Sequence, residues 1–85
     1  MIPMWHKSAV VTELIDRGQN AMYEGYYPSI QVDNDEQTIS LNCEVVFRNE
    51  KRFLEVVHGE YWMDDSNMRT LTWDELSEIE NIINN

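Results

Sequence analysis

The spacing of apolar residues changes from helical to alternating and back to helical along the chain. From Ser8, the residues Val10, Val11, Leu14, Ile15, Ala21 and Met22 recur at helical intervals, while Thr12, Glu13, Asp16 and Asn20 occupy the other side. An amphipathic helix is expected there. Gly18 either ends it at Arg17 or lies inside a longer helix reaching Glu24, at a cost of about 1 kcal/mol relative to alanine. Gly25-Tyr26-Tyr27-Pro28 then breaks the period and turns the chain.

Ile30 and Val32 alternate with Gln31 and Asp33. After Asn34-Asp35-Glu36-Gln37, a second alternation sets Ile39, Leu41, Cys43, Val45 and Phe47 against Ser40, Asn42, Glu44, Val46 and Arg48. A period of two predicts strands. With the four polar residues as the loop, Val32 falls opposite Ile39 and Ile30 opposite Leu41, so the apolar faces coincide. Asn49-Glu50 separates this strand from a third, Lys51 to Met63, which carries apolar groups on both faces. A two-residue turn places Leu54, Val56 and Trp62 toward the core and Phe53, Val57 and Tyr61 away from it. A three-residue turn would bury Glu55, so the first register is expected, although it sets Glu44 opposite Glu55. Asp64-Asp65-Ser66-Asn67 forms the loop that leaves the sheet.

The closing stretch TLTWDELSEIENIINN begins with a capping box, Thr72 and Glu75, and a hydrophobic staple, Leu71 and Leu76. Trp73, Leu76, Ile79, Ile82 and Ile83 form the expected buried stripe, leaving Asp74, Glu75, Glu78, Glu80 and Asn81 toward water. The predicted fold is therefore α+β: a two-layer domain in which a three-stranded antiparallel sheet lies between an N-terminal and a C-terminal helix in sequence, both packed on one face. The other face would carry Glu44, Val46, Phe53, Glu55, Val57 and Tyr61, in part beneath the Tyr26-Tyr27 segment.

At 85 residues the chain is expected to fill one domain, and 42% hydrophobic residues suffice for a core. Cys43 is the one cysteine, so no internal disulfide is expected and a reducing cytoplasm fits best. Neither a leader segment nor a membrane span of about 20 apolar residues is read.

Candidate chemistry is sparse. His6, Cys43 and His58 lack the paired spacing of a zinc site. Asp33, Asp35, Gln37 and Glu44 fall at positions of a calcium-binding loop. Thr38 stands where that loop needs glycine, however, and the alternation that follows predicts a strand. His58, Glu60, Asp64 and Asp65 form a titratable cluster without a readable nucleophile and base, so no enzyme and no cofactor are expected. Arg48, Lys51 and Arg52 make one small basic tip, too little for direct nucleic-acid binding.

Charge carries the functional expectation. Sixteen acids against six Lys/Arg give a net charge of −10, which opposes attraction to nucleic acid or an anionic membrane. Three acids precede residue 33 and thirteen follow, and the last helix has four acids and no cation. Asp74 and Glu78 lie roughly 6 Å apart along a helix axis. Duplex DNA presents one charge per ~1.7 Å. A row of carboxylates beside exposed aromatics suits a cationic groove built for phosphates. The expected function is an acidic inhibitor that blocks the nucleic-acid-binding surface of a larger basic protein, such as a nuclease or defence effector, through Asp64, Asp65, Asp74, Glu75, Glu78, Glu44 and Glu55. The analogy, in size and charge alone, is with phage anti-CRISPR and anti-restriction proteins and nuclease immunity proteins. The alternative is a non-mimic interaction module or antitoxin that uses the apolar outer sheet face, Val46, Phe53, Val57 and Tyr61, or that forms a homodimer through it.

Overall fold

Val32 pairs with Ile39 and Ile30 with Leu41, as the coinciding apolar faces require. The computed structural model describes residues 2–85. A 3-10 turn at Met4–His6 precedes helix α1 (Ser8–Ala21), strands β1 (Ser29–Asn34), β2 (Gln37–Arg48), β3 (Lys51–Trp62) and β4 (Met68–Thr70), and helix α2 (Trp73–Asn84). The fold is α+β, with an antiparallel sheet in the order β1-β2-β3-β4. No helix among the described residues is long and apolar enough to cross a membrane.

Both hairpin turns are tighter than a four-residue loop. Asn34 pairs with Gln37, so Asp35-Glu36 turns the first, with Asp35 at φ 56°. Arg48 pairs with Lys51, and Asn49 and Glu50 both have positive φ, 52° and 65°. Left-handed backbone at both central residues matches the twist of the flanking strands. The turn sets Val45 opposite Leu54, Cys43 opposite Val56 and Glu44 opposite Glu55, which is the expected register.

Beyond Val56 the expected alternation fails. Asn42 pairs with His58 while Cys43 pairs with Val56, so Val57 is the extra residue of a β-bulge. Uninterrupted alternation from Leu54 and Val56 would carry His58 and Glu60 into the core, where unpaired charge is costly. The bulge reverses the parity. Gly59 and Tyr61 turn inward, Tyr61 only 6% exposed, and the half-buried Trp62 lies on the opposite face. This corrects the placement of Trp62 toward the core and of Tyr61 away from it. The sheet also has four strands where three were expected. Met68–Thr70 is short and wholly exposed, so it carries no alternation to read.

Gly18 lies inside α1 because the second helix crosses it there. A Cβ at Gly18 would stand 2.3 Å from Ile83 Cγ2, so the missing side chain sets the approach of the two helices. Val10, Leu14 and Ala21 from α1, and Leu76, Ile79 and Ile83 from α2, join the inward residues of β1 to β3 in one core. Both helices therefore cover one sheet face. Met4 and Trp5 close the core at one end, with Trp5 edge-on to Tyr61 at 5.7 Å.

The Thr72–Glu75 capping box forms in full, and Leu71 and Leu76 are buried. Trp73 is not, being 77% exposed against the expectation of a buried stripe. Leu71 and Leu76 together fill the space over Gly59, leaving the first helical residue beyond the end of the core. Tyr26 and Tyr27 are also exposed, and their segment covers little of the outer face, Tyr27 bordering Glu44 and Val57 there. The segment's backbone runs along the edge of β2 instead, where Tyr26 O accepts from Val45 N at 2.8 Å and Pro28 O from Cys43 N at 3.0 Å.

Candidate functional site

Pairing of Thr38 with Trp62 brings the start of β2 beside the end of β3, so the first hairpin turn and the β3–β4 loop meet at one end of the sheet. Asp33, Asp35, Glu36, Asp64 and Asp65 line an open concavity of about 700 Å³ there, together with Thr38, Ser66 and Asn67. No Lys or Arg lines it. Asp64 organises its own loop: its carboxylate accepts from Ser66 N at 2.8 Å, from Asn67 N at 3.0 Å and from the Asn67 amide at 2.8 Å. The Asn67 side chain foremost, then the Ser66 N–H, holds this carboxyl below its ordinary pKa. Asp33 accepts from Thr38 Oγ1 at 2.7 Å, which fixes its direction within the hairpin.

Of the seven acids expected to bind a partner, Asp64 and Asp65 fall in this concavity. Asp33, Asp35 and Glu36 join them from the segment first weighed as a calcium loop. Their proximity in space follows from the strand register, which is why neighbouring residue types alone did not reveal it. Among the described residues no group of three or more His, Cys, Asp or Glu is arranged to hold a metal ion.

The helix acids divide. Asp74 is exposed, and its carboxylate has no hydrogen bond or ion pair among the described residues. Glu75 is committed internally, accepting two hydrogen bonds from Arg69 Nη1 and Nη2 at 2.8 Å each and one from Thr72 N at 2.9 Å. The Arg69 guanidinium, foremost, pulls the Glu75 carboxyl down to about 2. Glu78 accepts from the buried Trp5 indole Nε1 at 3.0 Å and also contacts His6 Nε2. A helix without internal cations thus receives them from β4 and from the N-terminal turn.

Glu80 also differs from its expected place in water. Its Oε1 accepts from Val56 N at 2.9 Å, just before the bulge. Asn84 does the same one turn later, accepting from Leu54 N at 2.9 Å and donating to Leu54 O at 2.8 Å. Cys43 lies close by in the core, and burial, then the Glu80 charge, pushes its thiol up to about 12. It is a protonated apolar filler.

Glu44 and Glu55 are cross-strand neighbours on the outer face, eased by Arg48, which lies 3.7 Å from Glu55 and 3.9 Å from the centre of the Phe53 ring. The bulge thrusts Val57 outward, 50% exposed, into a groove of about 200 Å³ shared with Trp73, Glu55, Arg48 and Glu80. Phe53 and Val46 are half-buried on this face.

Most cations are spent within the molecule. Arg17 pairs with Glu13 at 2.7 Å, Arg69 with Glu75, and Arg48 with Glu55. Arg52 donates to Met22 O at 3.1 Å, closing the end of α1 where carbonyl groups lack helical partners. The Lys7 and Lys51 side chains make no ion pair or hydrogen bond among the described residues. The surface field is accordingly acidic at the end that carries Asp33, Asp35, Glu36, Asp64 and Asp65. Compared with protein-family models, curated proteins and solved structures, the chain matches none of them.

Proposed function

We propose that this protein is an acidic inhibitor that docks on the nucleic-acid-binding surface of a larger basic protein, such as a nuclease or a defence effector. The observation that carries the reading is the concavity lined by Asp33, Asp35, Glu36, Asp64 and Asp65 without a cation among its lining residues. Five carboxylates held at one end of a folded sheet offer a cationic groove fixed negative charge, and the target's bound counterions are exchanged as they would be for phosphate. Asp74 adds an unpaired carboxylate. Glu75 and Glu78 contribute less, because Arg69, Trp5 and His6 already engage them.

The test is retention of proteins from a bacterial lysate on the immobilised chain, with identification by mass spectrometry. Release of a nucleic-acid-processing protein by raising salt from roughly 50 to 200 mM, and displacement by DNA or RNA, supports the reading. Replacing the five end carboxylates by their amides should abolish capture; undiminished capture by that variant sinks the assignment.

A second reading rests on Trp73 and Val57, whose exposure on one groove suits an interaction module or antitoxin with an apolar contact. Such a complex would be nearly indifferent to salt and lost on Trp73→Ala.

A further inference from the structure

The two sides of the sheet are finished differently, and the unfinished one has a definite chemistry. Pro28 O accepts from Cys43 N, so residues 28 and 43 form a hydrogen-bonded pair of the antiparallel ladder. Such pairs alternate, which directs the backbone groups of Ile30, Val32 and Asn34 toward β2 and those of Ser29, Gln31 and Asp33 toward the open edge. Among the described residues, no backbone group outside β2 pairs with β1. The strand contains none of the lysine, proline or bulge features that usually guard an edge.

Beside this edge runs a groove of about 420 Å³ between β1 and α1, lined by Glu13, Asp16, Glu24 and the single cation Arg17. Arg17 is paired with Glu13 at 2.7 Å. A second copy of this chain would set these carboxylates against their own kind, which opposes edge-to-edge dimerisation. We propose that the β1 edge accepts an extended basic segment of another protein by strand addition: its backbone bonds Ser29, Gln31 and Asp33, and its Lys or Arg side chains meet Glu13, Asp16 and Glu24. This site adjoins the acid end at Asp33, whose backbone belongs to the edge and whose carboxylate lines the concavity, but it does not depend on the inhibitor reading.

The test is amide hydrogen exchange of the full chain, followed by NMR, with an acetylated and amidated heptapeptide that alternates lysine and valine. Saturating peptide is expected to slow the amides of Ser29, Gln31 and Asp33 about tenfold, since a new hydrogen bond must open before they exchange. Ile30 and Val32, already bonded to β2, should change less. Gln31→Pro removes one outward N–H without touching the β1–β2 ladder and should abolish the protection. If that variant fails to fold, the triple change Glu13→Gln, Asp16→Asn, Glu24→Gln retains the backbone and should weaken peptide binding about tenfold. Amidation of the four end carboxylates outside β1, Asp35, Glu36, Asp64 and Asp65, should leave the protection in place. Peptide-induced changes confined to the acid end, absence of protection at β1, or pairing of two β1 edges in the peptide-free protein would each overturn the proposal.

Discussion

The β3 side of the sheet and the β1 side meet the same physical problem, an unpaired row of backbone donors and acceptors, in opposite ways. On the β3 side, helix α2 supplies the partners from its side chains. The Asn84 carboxamide acts as a piece of strand, accepting from Leu54 N and donating to Leu54 O, and Glu80 takes Val56 N. Farther along, Leu71 N donates to Gly59 O at 2.9 Å and β4 pairs with Glu60 to Trp62. On the β1 side no such cover forms among the described residues, and α1 presents carboxylates next to the edge. The contrast shows that an amphipathic helix can do more than bury a stripe: residues flanking the stripe of α2 finish the sheet.

Substitutions on the sealed side should therefore cost far more than those on the open side. The largest loss is expected for Gly59→Val, because a Cβ there would stand 2.6 Å from Leu71 Cδ1 and 3.0 Å from Leu41 Cδ2. Overpacking of this kind should lower stability by about 3 kcal/mol, read from the urea midpoint at unchanged slope. Asn84→Leu comes next. It strands both polar groups of the buried Leu54 and should cost about 2 kcal/mol by the same measurement, with faster exchange of the Leu54 amide. Glu80→Ala removes one such bond and should cost about 1 kcal/mol, while Glu80→Gln, which keeps the acceptor, should recover most of it.

The Arg69–Glu75 pair at the start of α2 is a smaller, pH-dependent contribution. The folded-state pKa of Glu75 is depressed from 4.5 to about 2. Its stabilisation is therefore fully present above pH 4.5 and is lost as pH falls toward 2. Both side chains are partly solvated, so the effect should be no more than about 1 kcal/mol, visible as a shallower acid transition in Glu75→Gln than in the parent. The smallest effect is expected at the open edge. Gln31→Pro should change stability by less than about 1 kcal/mol, since its N–H lies outside the ladder. A loss comparable to that of Asn84→Leu would show that the β1 edge is not free and would erase the contrast.

The legible part of the fold was the part governed by local rules. Alternation in β1 and β2, the Asn49-Glu50 turn and the Thr72–Glu75 box each bind residues near one another in sequence, and each formed as read. The bulge at Val57 was implicit, because strict alternation carried His58 and Glu60 inward with Leu54 and Val56; following that conflict to its end would have placed Tyr61 in the core. The site was less legible. The acids of α2 look unpaired within their own helix, yet Arg69 and the Trp5 indole reach two of them from other elements. Asp33, Asp35 and Glu36 lie some thirty residues from Asp64 and Asp65, and only the β2–β3 register makes them neighbours.

What the sequence determined by itself is the types of the two helices and the three long strands, the first hairpin's register, the cap of α2, the number of cysteines and the acidic sign of the field. These follow from periodicity and composition, which act over a few residues or over the whole chain at once. Tertiary structure alone decided that Gly18 would receive Ile83, that Trp73 would fall outside the core, and that Asn84 and Glu80 would finish an edge thirty and twenty-four residues away. It also decided which carboxylates are engaged by cations and donors from other elements and which are not. The reason is common to all of these: each depends on which distant surfaces come within a few ångströms, and that distance is set by packing rather than by any residue's own preference.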